Sequence, residues 1–233
     1  MKLKTIILFV VTAFILSACS TDISDSIPPN SIPSESVPSY DNGFLETDVE
    51  YGSIYADYRI YNKPEALIEA ADSVLIGKVV SRSFKILDYA TGLPPTETTE
   101  EFNKILCTIY TVDVITSYKG DVSTTINIRT QGGIKDECIS EQLQALKTKT
   151  TSSNVIPIME GMPQIKVDEI YLFSLRVFEG TDPCIMNPYQ SIISIQDPSA
   201  KDIYGYISTK DIISYFGEDK WDEFKASSLV ETE

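Results

Sequence analysis

Apolar and polar residues alternate along several stretches of the chain, and this period of two is typical of half-buried β-strands. Residues 105–118 place Tyr110 and Val112 on one face and polar side chains on the other. Residues 124–130 repeat the alternation after a turn, so the two stretches together predict a β-hairpin. Residues 170–178 alternate in the same way and predict a further strand.

Three other stretches add strands to this pattern. Residues 73–84 are apolar and β-branched, which indicates a buried strand, and Gly77 in its middle indicates a β-bulge or a sharp bend. Residues 190–196 predict a strand that returns beside residues 170–178, and residues 205–207 predict a short final strand. A soft, irregular stretch is expected from Thr150 to Gln164.

A spacing of three to four residues between apolar side chains predicts helices around these strands. Residues 64–72 begin with Pro64, which suits the first turn of a helix. Residues 136–149 carry acids first and lysines last, as the helix dipole favours. Residues 208–217 predict a capped helix, and a second tail helix is expected to turn Trp221 inward.

The predicted order is helix, strand, long strand, strand, helix, strand, strand, helix. Five or six strands with one helix after the third strand favour a mainly β (α+β) fold. The sequence therefore predicts a small OB-like barrel of five to six strands with peripheral helices.

The first 19 residues have the pattern of an export signal. Lys2 and Lys4 precede an apolar run that is too short to span a bilayer, and small residues close it. The segment Leu16-Ser17-Ala18-Cys19 resembles the lipobox of bacterial lipoproteins. This resemblance implies that the signal is cut before Cys19 and that the Cys19 thiol receives a diacylglycerol. The alternative is an ordinary secretory signal followed by a chance cysteine.

These features predict three parts of the chain. Residues 1–18 form the signal peptide, and residues 19–43 form a lipid-anchored disordered linker because Ser, Pro and acidic residues dominate them. Residues 44–233 form a single β-rich globular domain with C-terminal helices. The lipobox resemblance places this domain on the outer side of a bacterial cytoplasmic membrane. The bias towards Ile, Lys, Asp and Glu, with no His, indicates a Gram-positive source.

The net charge limits the partners. The whole chain has 19 Lys+Arg and 34 Asp+Glu, and loss of Lys2 and Lys4 with the signal leaves 17 against 34, a formal charge of −17. Such acidity argues against nucleic acid as a partner. It is compatible with cations, with basic partners or with a merely solvated surface.

Three cysteines follow the lipobox. Export permits disulfides, but an odd number allows at most one internal pair among Cys107, Cys138 and Cys184. Cys107 and Cys138 are the candidate pair, although their spacing does not fix the connectivity. The chain has no C-x-x-C spacing and no His, so we expect no metal site and no cofactor.

The strand residues also resemble a netrin-type module, an OB-fold family that includes the tissue inhibitors of metalloproteinases. The resemblance covers residues 66–178 and rests on Ala71-Asp72-Ser73-Val74-Leu75-Ile76-Gly77-Lys78-Val79, Tyr110-Thr111-Val112-Asp113-Val114-Ile115, Tyr118-Lys119-Gly120-Asp121 and Tyr171-Leu172-Phe173. In the inhibitors a cysteine with a free amine opens the domain and binds the zinc of the target. Here Cys19 would be acylated and separated from the barrel, and the disulfide set of the family is missing, so the resemblance implies the fold without that mechanism.

Catalytic signatures are sparse. The absence of His excludes His-based triads, and no nucleophile elbow, P-loop or dinucleotide fingerprint is present. Paired carboxylates could hydrolyse a glycosidic bond or hold a cation. The candidates are Glu97, Glu100, Glu101, Asp136, Glu137, Asp197 and Asp202.

Two functions follow. The first is a non-enzymatic surface module that binds an envelope protein or a cell-wall ligand through a barrel face or loops, with no catalytic residues. The alternative is a carboxylate-dependent envelope glycan hydrolase. Tyrosines between residues 44 and 61 either pack on the core or stack on sugar rings.

Overall fold

A computed structural model describes most of the globular part of the chain. The described residues are 49–149, 154–196 and 200–227. They belong to one compact unit, Phe44–Glu233. The strands are β1 (Glu50–Ile54), β2 (Ser73–Asp88), β3 (Lys104–Lys119), β4 (Thr125–Gln131), β5 (Val155–Met159), β6 (Ile170–Arg176), β7 (Cys184–Ile185) and β8 (Ile192–Ser194). The helices are α1 (Pro64–Ala70), α2 (Ile139–Leu146), α3 (Thr209–Tyr215) and α4 (Glu218–Ala226), and a 3-10 turn covers Glu101–Asn103.

Five of these strands close into a barrel. Antiparallel pairing joins β2 to β3 and β3 to β4, and β6 pairs back onto β2. The short strand β7 lies parallel to β4 and antiparallel to β6, which completes the ring β2-β3-β4-β7-β6. Strand β8 pairs with Tyr171–Phe173 of β6, along the edge whose last residues pair with β7. The predicted class, a small OB-like barrel with peripheral helices, is confirmed.

Alternation along the strands separates two apolar cores. Tyr110, Ile128 and Phe173 belong to the cluster that fills the barrel interior. The outward-facing residues of β2 and β6, such as Ile76 and Leu172, are buried under α1, α3 and α4. Strand β2 is therefore apolar at successive positions near its start because both of its faces are covered there.

The tail helices follow the predicted pattern. Ser208 and Asp211 form a capping box at the start of α3, in which each side chain accepts a hydrogen bond from the backbone of the other. Trp221 and Phe224 of α4 are buried against the outer core. Within the described part of the chain, no helix is long and apolar enough to span a bilayer.

Some element predictions were wrong. Strand β5 lies in the stretch expected to be irregular, where Pro157 obscured it. It forms a two-stranded sheet with β1 and an isolated bridge from Ile158 to Gly133, and Pro is tolerated because β5 is an edge strand of that sheet. Strand β7 was missed because it has only two residues. Residues 205–207 form no strand, and α2 begins at Ile139 because the preceding chain adopts left-handed conformations. The predicted signal peptide, linker and Cys19 lie outside the described residues.

Gly77 has the predicted role in β2. The register with β3 shifts between Ile76 and Gly77, and a Cβ atom on Gly77 would lie 2.3 Å from the Val112 Cγ1 atom. The strand can bend here only because residue 77 has no side chain.

We expect Gly77→Ala to lower the free energy of unfolding by about 1–3 kcal/mol, because the added methyl group overpacks the barrel wall. Urea denaturation followed by circular dichroism measures this change. The double variant Gly77→Ala/Val112→Ala should be less destabilised than the sum of its single variants, because the second substitution removes the colliding atom. An unchanged midpoint for Gly77→Ala would contradict the assignment.

Candidate functional site

A groove of about 440 Å³ opens on the outer face of the barrel. Its floor includes residues of β3, β4, β6 and β7. Residues 89–103, which join β2 to β3, and residues 177–183, which join β6 to β7, contribute to its walls. If only the five barrel strands are counted in chain order, the first loop joins the first strand to the second, and the second loop joins the fourth strand to the fifth. The loops at these two positions are the ones through which OB folds bind oligosaccharides and oligonucleotides.

Two arginines flank a cysteine across the floor of the groove. Cys184 on β7 pairs in register with Arg129 on β4 and with Arg176 on β6. Side chains of residues paired across strands point to the same face of a sheet. Because Ile128 and Ile185 are the inward neighbours, Arg129, Cys184 and Arg176 form an outward row across three strands. All three of these residues line the groove.

Arg129 is held from three sides. Its Nε donates a hydrogen bond to the Asp182 carbonyl oxygen at 3.0 Å, and its guanidinium carbon lies 5.9 Å from the centre of the Phe178 ring. The guanidinium also contacts Gly92, where an added Cβ would lie 2.5 Å from Nη1. Gly92 has a φ of +72°, so glycine is favoured there by its backbone conformation as well as by the lack of space.

The groove is locally positive in a strongly acidic protein. Arg129 forms no ion pair with any residue that the structure describes. Arg176 has a 3.5 Å contact with Asp72, whose other carboxylate oxygen accepts a hydrogen bond from the Val177 N–H. No Asp or Glu is among the described residues that line the groove. An anionic ligand would therefore meet two guanidinium groups, of which that of Arg129 has no carboxylate partner among the described residues and that of Arg176 contacts Asp72.

The thiols in the groove are poor nucleophiles. Burial raises the pKa of Cys107 to about 12, against the opposing effect of the nearby Arg129. Burial also raises the pKa of Cys184, while both arginines act to lower it. Both thiols therefore remain protonated at neutral pH, and a protonated thiol is neither a nucleophile nor a metal ligand.

The candidate disulfide is not formed in the structure. Cys107, Cys138 and Cys184 are all free thiols. Cys107 lies on β3 and lines the groove. Cys138 precedes α2, and its sulfur accepts a hydrogen bond from Arg82 Nη2 at 3.4 Å.

Aromatic rings border the groove and continue away from it. Tyr58, Tyr89 and Phe178 line the cavity, and Phe178 is 51% exposed. The Tyr58 ring meets the Tyr189 ring edge to face at 5.8 Å, and burial, followed by the nearby Tyr189, raises the pKa of Tyr58. A further set of ring contacts at 6.1 Å each leads outward through Tyr189, Tyr204 and Tyr206.

The tyrosines between residues 44 and 61 have different surroundings. Tyr61 is buried in the outer core, as the packing interpretation predicts. Tyr58 lines the groove, as a ligand-stacking role requires, and Tyr55 is 79% exposed.

Three of the seven candidate catalytic carboxylates have ion-pair or buried hydrogen-bond partners. Glu101 pairs with Lys104, and Glu137 pairs with Arg82 Nη2 at 2.5 Å. Asp202 is buried and accepts hydrogen bonds from Gln190 Nε2 at 2.5 Å and from the Tyr206 N–H at 2.8 Å.

The remaining candidates differ in their surroundings. Glu97 and Glu100 are exposed, and Asp197 lies outside the described residues. Asp136 accepts a hydrogen bond from the Tyr51 hydroxyl at 3.1 Å. Asp136 and Glu137 both line a second cavity of about 550 Å³.

The sequence reasoning missed Arg129, Arg176 and the groove itself. Arg129 was placed correctly on the outward face of its strand, but nothing in the sequence paired it with a second arginine. The available signal was composition: the chain has four arginines, Arg59, Arg82, Arg129 and Arg176. Three of these four, Arg82, Arg129 and Arg176, lie on predicted strands, and the sequence did not show which two share a surface.

Comparisons with protein-family models and with curated proteins identify no relative. No protein-family model matches the chain, and no curated protein matches it significantly. In the described part of the chain, no group of three or more His, Cys, Asp or Glu side chains could hold a metal ion. The function must therefore be argued from the groove.

The pKa of Cys107 predicts very slow alkylation. At pH 8 we expect iodoacetamide to modify Cys107 about a thousandfold more slowly than a free cysteine, because only about one thiol in ten thousand is ionised. Peptide mass spectrometry over a time course measures the rate. The same reaction in denaturant is the control and should be fast, while modification of the folded protein at the free-cysteine rate would contradict the burial argument.

Proposed function

We propose that this protein is a lipid-anchored, non-enzymatic binding module of the bacterial cell envelope. Its resemblance to the lipobox at Leu16–Cys19 supports an anchor at Cys19, and hence a place on the outer side of the cytoplasmic membrane of a Gram-positive cell. The membrane is then one partner, through acyl chains such as palmitate. The other is an envelope protein or a cell-wall ligand, and not nucleic acid.

The single observation that carries the binding function is the groove between residues 89–103 and 177–183. Its volume of about 440 Å³ lies in the range of small-molecule sites, which is roughly 300–1,000 Å³. It combines aromatic walls with a few fixed polar groups, as binding sites do. The guanidinium of Arg129 is already oriented by its neighbours before any ligand arrives. Such preorganisation favours affinity because less ordering is needed on binding.

The chemistry of the site favours binding over catalysis. The groove thiols are protonated at neutral pH, and the chain has no His to activate them. The carboxylates that could act as acid and base do not line the groove.

A carboxylate-dependent glycan hydrolase is the second candidate. Asp136 and Glu137 line the same cavity, and Asp136 has a φ of +60°, a strained conformation that is common at active sites. However, Glu137 is bound to Arg82 and also accepts a hydrogen bond from Gln164. Both carboxylate oxygens of Glu137 are therefore already engaged by protein side chains, so we favour the binding module.

The resemblance to netrin-type modules is compatible with this proposal. The barrel and its helix after the third barrel strand have the architecture that the resemblance implies. We propose kinship at the level of the fold and not the zinc-directed inhibition, because an acylated Cys19 has no free amine.

Lipidation can be tested directly in cells. We expect the wild-type chain to incorporate an alkyne analogue of palmitate and Cys19→Ala to incorporate none, because the thiol of Cys19 carries the anchor. In-gel fluorescence after click labelling measures incorporation. Cys138→Ala is the matched control and should label normally. Labelling of Cys19→Ala at the wild-type level would refute the anchor.

The groove can be tested with soluble fragments of digested bacterial cell wall. We expect saturation-transfer-difference NMR to show ligand signals with the wild-type protein, and Tyr58→Ala/Phe178→Ala to reduce them at least about tenfold through loss of aromatic contact. Tyr215→Ala removes an exposed aromatic outside the groove and should leave the signals unchanged. Equal signals from the groove variant and the control would place binding elsewhere.

A further inference from the structure

We propose that the ligand of the groove is an acidic oligosaccharide, with an isolated carboxylate bound between Arg129 and Arg176 and sugar rings stacked on Tyr58 and Phe178. This inference rests on the proposed binding function and names the class of ligand that the groove takes.

The spacing of the two arginines suits a single carboxylate. Arg129 and Arg176 are both paired with Cys184, so their Cα atoms lie about two strand spacings apart, roughly 10 Å. Both side chains line the same cavity and are long enough to reach a group between them. A carboxylate there would receive charge-assisted hydrogen bonds from two planar donors.

The two arginines have unequal freedom to bind. Arg129 has no carboxylate partner among the described residues, and the Asp182 carbonyl, Gly92 and Phe178 fix its position. The contact of Arg176 with Asp72 is exposed on both sides, and ion pairs of that kind contribute little. The side chain of Arg176 can therefore turn towards a ligand at small cost.

Aromatic rings favour sugars as the rest of the ligand. The apolar faces of sugar rings stack on aromatic side chains, and the groove offers Tyr58 and Phe178 with the Tyr189, Tyr204 and Tyr206 rings leading away. Tyr206 is 53% exposed, so a longer chain has further rings to contact outside the cavity.

Two other classes of polymer fit less well. An extended peptide is usually bound along an open sheet edge, whereas the groove floor consists of strands already paired with one another. A nucleic acid carries a charge on every residue and would be repelled by a chain of formal charge −15. An oligosaccharide with few charged groups needs no open sheet edge and is repelled less than a nucleic acid.

The test compares two tetrasaccharides by isothermal titration calorimetry against the mature-length chain, residues 19–233 with Cys19→Ser. Hyaluronan tetrasaccharide carries a carboxylate on every second ring, and chitotetraose has none. We expect hyaluronan tetrasaccharide to bind at least about tenfold more tightly, because only it can pair with the arginines.

Three arginine variants locate the effect. Arg129→Gln and Arg176→Gln should each weaken binding of hyaluronan tetrasaccharide about tenfold or more. Arg59→Gln makes the same change of charge at an exposed arginine outside the groove and should leave affinity within about twofold. Thermal unfolding of each variant verifies that the fold is retained.

Gly92→Ala tests whether the position of the Arg129 guanidinium matters separately from its charge. Its added methyl group would collide with the Arg129 guanidinium, so it should weaken hyaluronan binding while the net charge is unchanged. If this variant does not fold, the two glutamine variants carry the test alone, because neither arginine is part of the core.

The outcomes separate the ligand class from the binding function. Equal affinity for both tetrasaccharides, or unaltered affinity in both glutamine variants, would overturn the carboxylate site. If neither sugar binds at millimolar concentration while wall fragments still give groove-dependent NMR signals, the ligand class is wrong and the binding module stands. If wall fragments also give none, both proposals fail. Tighter binding of an acidic hexapeptide than of either sugar would likewise overturn the assignment to an oligosaccharide.

Discussion

The closure of the barrel through two residues is the constraint on which the rest of the structure depends. Strand β7 contributes only Cys184 and Ile185, yet it joins β4 to β6. Ile185 belongs to the interior core, and Cys184 lies on the outer face between two arginines. Without this strand, β4 and the end of β6 beyond its pairing with β8 would be open, and Arg129 and Arg176 would not share a surface. Closure thus satisfies backbone hydrogen bonds and builds the groove in one step.

The distribution of apolar surface explains why the groove lies where it does. On β2 and β6 the outer face is covered by α1, α3 and α4, so both sides of these strands are buried near Val74 and Leu172. On β4 and β7 none of the helices that the structure describes covers the outer face, and the walls come instead from loop residues with exposed aromatic rings. The groove is the part of the barrel that these helices leave open.

The electrostatics of the groove contrast with those of the whole chain. A formal charge of −15 keeps the protein soluble and repels polyanions at a distance. Within the groove the two arginines act at short range, where screening by water and salt is weakest. A ligand with few charges experiences the local attraction with little of the general repulsion. The thiols next to the arginines are protonated and therefore uncharged, so the charged groups on the groove floor are the guanidinium groups.

The sequence by itself determined the long elements: the alternation of β3 and β4, the buried run of β2, the bulge at Gly77 and a helix cap at Ser208 or Thr209 are local patterns of burial and backbone geometry. They sufficed for the barrel class because long strands carry a repeated signal.

The tertiary structure alone decided the rest. A two-residue strand has no periodicity to detect, and Pro157 masked β5. Arg129, Cys184 and Arg176 are far apart in the chain, and only the register across β4, β7 and β6 makes them neighbours. The groove is therefore a product of long-range pairing, which local sequence patterns do not encode.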